Sequence, residues 1–267
     1  MQANESTETG KTILGYGCIA LAGLIGLTYL AEDGWPSWMV PGWLCVVFLA
    51  SWGMGWSAWN LGELLQTRGE NQQQKAVEVW LWLVVCASAL SVASWKLGIQ
   101  VFTFLPALIL LSGSIALLKK DGLTAGLIWG VGIALQASLG WAAIRESLFQ
   151  SEDSPAWFLA SFLVLWLAGS KMIEKSKRLA RSANHEKALV TLDWARILRL
   201  LSIASLFFLG QTKEMGIVYG IAVFLIFVIS ERQFRVRNGI EVFVSLAGIH
   251  YWVGGLLLLA CLMGRTV

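Results

Sequence analysis

Apolar residues in this chain fall into long unbroken runs separated by short polar stretches, without the three-to-four spacing of an amphipathic surface helix or the alternation of a half-buried strand. A helix rising 1.5 Å per residue needs about 20 residues to cross a hydrocarbon core of about 30 Å, so each run predicts a membrane span. Nine runs qualify, at 12–31, 41–60, 77–95, 97–118, 122–144, 156–173, 193–210, 215–230 and 240–263, the eighth being the shortest. A barrel strand would need only about ten residues of alternating polarity, and that pattern is missing. The predicted fold is all-α: a polytopic transmembrane helix bundle of about nine spans forming one integral membrane domain over 1–267. The first span has a second reading as a cleaved signal, with Lys11 as its charged start and Ala31 near the cleavage point, which would leave eight spans.

Composition supports lipid as the main solvent. Apolar residues make up 57% of the chain and charged residues 14%, with 15 tryptophans, four prolines and a mean hydropathy of +0.66. A net charge of +3, with no basic stripe interleaved with aromatics, argues against a nucleic-acid partner. Cys18, Cys45, Cys86 and Cys261 lie far apart inside apolar runs and read as small core residues. The two histidines, His185 and His250, are too few for haem ligation of the kind seen in cytochrome bundles, so no haem is expected. HExxH, GxSxG and carboxylates at metal spacing are all absent from the sequence, so no metal site is expected.

Lysine and arginine predict the orientation. One set of connections holds Lys11, Arg68, Lys75, Lys119, Lys120, Lys175, Lys177, Arg178, Arg181, Lys187, Arg232, Arg235 and Arg237; the other holds Lys96, Arg145, Lys213 and Arg265. Because cytoplasmic loops collect positive charge, the N-terminus, with a tail at 1–11, is predicted to be cytoplasmic and the C-terminus external. The stretch 174–190 is a basic, helix-compatible cytoplasmic loop, whose Lys175, Lys177, Arg178 and Arg181 suit anionic lipid headgroups or a partner subunit. Tryptophans at span ends, such as Trp35, Trp56, Trp80 and Trp157, form the expected interfacial belt. Glycine-rich GLIWGVG (126–132) predicts close helix–helix contact.

Polar side chains at membrane depth are candidate functional groups. His250, in AGIHYWVGG, can exchange one hydrogen bond with a quinone oxygen or with a neighbouring helix. Lys96, in ASWKLG, lies near the outer interface, where a lysine can snorkel.

The run from Ile115 to Trp157 has a basic turn (Lys119, Lys120), a span ending in Trp141 and Arg145, a short acidic loop with Asp153, and then Pro155 and Trp157 opening the next span. In this it resembles the membrane-anchor subunits of dimethyl sulfoxide reductase and, more distantly, the polysulfide reductase anchors. The resemblance places Lys96, Leu97 and Gly98 where those anchors carry the histidine of a menaquinol site, and His250 in their closing helix. It implies an anchor subunit of a respiratory oxidoreductase in a bacterial plasma membrane, exchanging electrons with menaquinol and holding iron–sulfur and molybdopterin subunits. The chain would then be a quinol-oxidising or non-catalytic part of the complex, with Lys96, Gly98 and His250 as quinone-binding candidates. The alternatives are a non-catalytic scaffold of a membrane complex and a small-solute transporter. A transporter would favour broken half-helices or a repeat between halves, and neither is evident.

Overall fold

The computed structural model describes residues 2–32, 42–50, 52–53, 57, 72–97, 122–145, 150–182, 184–232, 234, 236–237, 240–241 and 246–264. Seven long helices carry the fold: α1 (Gln2–Glu32), α2 (Gln72–Leu97), α3 (Leu123–Arg145), α4 (Ser154–Arg181), α5 (His185–Thr212), α6 (Ile217–Arg232) and α7 (Leu246–Met263). Residues 42–50 are helical too, and a two-residue antiparallel pairing, Val236–Arg237 with Ile240–Glu241, lies between α6 and α7. The expected all-α membrane bundle is what the chain forms. Seven of the nine predicted spans coincide with long described helices; 41–60 is described as helix at 42–50, 52–53 and 57, and 98–118 lies outside the described residues.

Several helices outrun their predicted spans. The 1–11 stretch continues into α1 from Gln2 onward, and within 174–190 residues 174–181 and 185–190 are helical. Charge does not oppose helix here: Arg178 and Arg181 occupy the last turn of α4, where cations favour the negative end of the helix dipole. At 28 residues, α4 is roughly 42 Å long, more than a hydrocarbon core needs, and so carries its basic end beyond the apolar layer.

Helix α4 is central. It packs against α3 and α5, while α1 packs against α3 and α7, and α6 leans on α7 and α5. Small residues set these distances. A β-carbon on Gly126 would stand 2.5 Å from the Ala168 Cα, and one on Gly130 would stand 2.7 Å from the Val164 Cα, so α3 meets α4 backbone to backbone. Gly132, in the same glycine-rich run, is buried, yet a β-carbon there would meet nothing within 4 Å. Gly254 of α7 closes in the same way on the backbone of Cys18 in α1. The resulting core holds Tyr16, Leu24 and Leu27 of α1, Trp141 of α3, Phe162 and Trp166 of α4, and Val253 and Leu257 of α7. Outward faces are apolar as well: Trp80, Leu81 and Trp82 of α2 and Phe207, Phe208 and Phe224 of α5 and α6 are exposed, as lipid-facing side chains should be.

Candidate functional site

A polar cluster occupies the interior where α1, α4, α5 and α7 converge. On α4 the spacing Trp166, Ser170, Glu174 places three side chains on one face, one turn apart. Glu174 is shared: the Tyr16 hydroxyl donates to Oε1 at 3.1 Å and Lys171 Nζ donates to Oε2 at 2.7 Å, with the same ammonium 5.5 Å from the Tyr16 ring centroid. Two turns deeper, Trp166 Nε1 donates to His250 Nδ1 at 3.2 Å. A nitrogen that accepts carries no proton, so the neutral imidazole holds its proton on Nε2. The Tyr16 ring meets that imidazole edge-on, with centroids 4.7 Å apart.

Arg199 of α5 completes the cluster. Its guanidinium carbon lies 3.4 Å from the Trp166 ring centroid, and Nη2 donates to Ser170 Oγ at 2.7 Å. Ser170 in turn donates to the Trp166 carbonyl. Gly169 provides the room, since a β-carbon there would stand 3.1 Å from Arg199 Cγ. Arg199 and His250 are both fully buried. Three of their nitrogens, Arg199 Nε and Nη1 and His250 Nε2, find no hydrogen-bond partner among the described residues. A buried charge normally has acceptors around it, because desolvating an ion is costly. Here every orphan in the cluster is a donor, and the stacked indole only partly compensates the cation.

The opposite end of the bundle has its own polar group. Arg145 Nε donates to the Ala31 carbonyl at 2.7 Å and Lys213 Nζ donates to the Leu30 carbonyl at 3.1 Å, so two cations from different helices cap the end of α1. Both also face the Trp141 ring, whose Nε1 donates to Asp153 Oδ1 at 2.8 Å. The two backbone contacts satisfy the end of α1.

The predicted site residues separate. His250 is in the cluster. Lys96 is exposed in the last turn of α2 and takes no part in it, and Gly98 lies outside the described residues. Arg145 is the cap just described, Pro155 is buried in the first turn of α4, and Trp157 is half exposed beside it. Lys175 packs against Gly122, at the start of α3; Lys177, Arg178 and Arg181 follow it along the end of α4. Arg199, Lys171, Trp166 and Tyr16 were not singled out from sequence. The signal for Arg199 was present: a guanidinium inside an apolar run is a functional candidate by default. A divalent cation would need convergent oxygen ligands. Among the described residues no three His, Cys, Asp or Glu side chains come together, and Glu174, within the cluster, is already shared by Lys171 and Tyr16. The described residues therefore do not fit a metal site.

Two solved structures superpose on nearly the whole chain. One is the apo structure of a UbiA homolog from Aeropyrum pernix K1, with a TM-score of 0.70 and 12% identity, covering 90% of this chain and 94% of that one. The fold is UbiA-like. The other is a digeranylgeranylglyceryl phosphate synthase, with a TM-score of 0.68 and 13% identity over 98% of each chain. No family model and no curated protein matches the sequence.

The UbiA-like fold overturns the oxidoreductase-anchor reading, and with it the expected exchange of electrons with menaquinol. The physical reason lies at the helix ends. Of the elements that carried the resemblance, Trp141, Asp153 and Arg145 form the capping network at one end of the bundle, and Pro155 occupies the first turn of α4. Such boundary chemistry is available to any bundle and does not distinguish one family from another.

Proposed function

We propose that this protein is an intramembrane prenyltransferase of UbiA type, moving an isoprenoid chain onto an acceptor inside the bilayer. The observation that carries the reading is the end-to-end likeness to the two UbiA-type structures, one of them a synthase of an isoprenoid-bearing lipid. Fold alone hosts many functions, so the site must also suit the chemistry. In prenyl transfer the allylic carbon–oxygen bond breaks, the electron pair leaves on a diphosphate, a nucleophilic atom of the acceptor bonds the allylic carbon, and the acceptor gives up a proton. Such a reaction needs a dry interior with positive charge facing the leaving oxygens. Arg199 supplies that charge, His250 Nε2 supplies a further donor, and Tyr16, Trp166 and Phe162 supply apolar and aromatic walls.

In this reading the lipid bilayer is the partner, and the iron–sulfur and molybdopterin subunits have no role. The lysine and arginine bias supports a cytoplasmic N-terminus, with the cationic cluster on the same side, where a water-soluble diphosphate is at hand. The test is a transfer assay on the purified chain in nanodiscs, with geranyl, farnesyl or geranylgeranyl diphosphate and a lipid extract as the source of acceptors. The expected result is a lipid product heavier by the isoprenoid unit, formed together with pyrophosphate and lost in Arg199→Met. Absence of any isoprenoid-bearing product across donors and extracts would overturn the proposal.

A further inference from the structure

Arg199 Nε, Arg199 Nη1 and His250 Nε2 are buried donors without hydrogen-bond partners among the described residues, and they belong to side chains gathered around one indole: the guanidinium stacks on the Trp166 ring and the imidazole receives its N–H. Trp166 thereby fixes both groups, holding the guanidinium flat and committing the imidazole to the tautomer that donates from Nε2. Ser170 fixes the third guanidinium nitrogen from the far side. Orphaned buried donors are uncommon in folded proteins, and one fully buried, positively charged set needs an occupant with lone pairs and negative charge.

We propose that Arg199 and His250 bind the oxyanion of an amphiphile, a phosphate or a carboxylate, through protein donors alone, with no divalent cation between. This deepens the transferase reading and rests on it for the isoprenoid nature of the tail. The donor set agrees: the chain has only four aspartates, at 33, 121, 153 and 193, no two close enough in sequence to pair on one helix, and the cluster's own carboxylate is neutralised by Lys171. Charge compensation falls to the guanidinium, which stays charged and offers donors from Nε and Nη1.

The experiment measures binding by native mass spectrometry of the full chain in nanodiscs. Three probes share one tail: farnesyl phosphate, farnesoic acid and farnesol, each in EDTA and again with millimolar Mg2+. At least one oxyanion probe is expected to bind tenfold or more tightly than farnesol in EDTA, with Mg2+ adding nothing; whichever of the two does so identifies phosphate or carboxylate as the preferred group. Arg199→Met and His250→Phe should bring the oxyanion probe down to the farnesol level while farnesol binding persists. Should Arg199→Met fail to fold, Trp166→Phe keeps a ring under the guanidinium yet releases the imidazole, and it should cut the selectivity severalfold. Equal binding of all three probes, binding of oxyanions only when Mg2+ is present, or unchanged selectivity in the variants that fold would overturn the proposal. The two readings fail separately: selective binding without isoprenoid transfer sinks the transferase and keeps the oxyanion site, whereas transfer with unselective binding does the reverse.

Discussion

Arg199 lies on the face of Trp166, its guanidinium carbon 3.4 Å from the ring centroid, while the same indole gives its N–H to His250. One side chain of α4 thus orients a cation from α5 and an imidazole from α7. Arg199→Lys retains charge but loses the planar stack and the fork. Transfer activity in the nanodisc assay is expected to fall roughly tenfold or more, the scale of one charge-assisted hydrogen bond, with the melting temperature shifted far less than in Arg199→Met.

The α3–α4 contact predicts an asymmetry among neighbouring glycines. Gly126→Ala and Gly130→Ala each push a methyl into the α4 backbone and should cost about 1–3 kcal/mol, as overpacking does. Gly132→Ala meets no atom, so stability should hold or rise slightly with the better helix former. Thermal unfolding in detergent, followed by size exclusion, ranks the three; equal losses at all three positions would contradict the packing.

At the other end, Arg145→Ala and Lys213→Ala each remove one donor from the last carbonyls of α1, at about 1 kcal/mol apiece by the usual worth of such a bond. Both cations also face Trp141, so the double variant should lose a different amount from the sum of the singles. A double-mutant cycle on unfolding free energies reads that coupling directly.

Tyr219 bridges α6 to α5, donating from its hydroxyl to the Leu206 carbonyl at 2.6 Å while its ring fills the space left by Gly210. Tyr219→Phe should cost about 1 kcal/mol or less, because that carbonyl keeps its place in the α5 ladder. Gly210→Ala should cost more, since its methyl would stand 2.6 Å from the Tyr219 ring. Reversal of that order would show that the hydroxyl, and not the ring, fixes the contact.

Span existence was legible because it depends on run length alone, and the boundaries were less so: polar ends such as 174–181 continue as helix once a helix has begun. His250 stands out as an intramembrane histidine, whereas Arg199 lies seven residues into a predicted span with no motif around it. Only its neighbours on α4, Trp166 and Ser170, place it in the core, and no local pattern encodes which helices meet. Family assignment failed for a related reason. Residues such as Trp141, Arg145 and Asp153 follow the general chemistry of membrane boundaries, while at 12–13% identity a fold is carried by packing that single residues do not spell out.

The unpartnered donors around Trp166 also bear on how the protein should behave outside its membrane. Burying them unsatisfied weakens the empty bundle, and any acceptor that binds only the folded form stabilises it by mass action, about 2.7 kcal/mol at a hundred times its dissociation constant. Extraction that strips amphiphiles should therefore lower the yield of folded protein, and the purification itself becomes a screen: whichever native lipid restores monodispersity to the delipidated chain is the first candidate ligand.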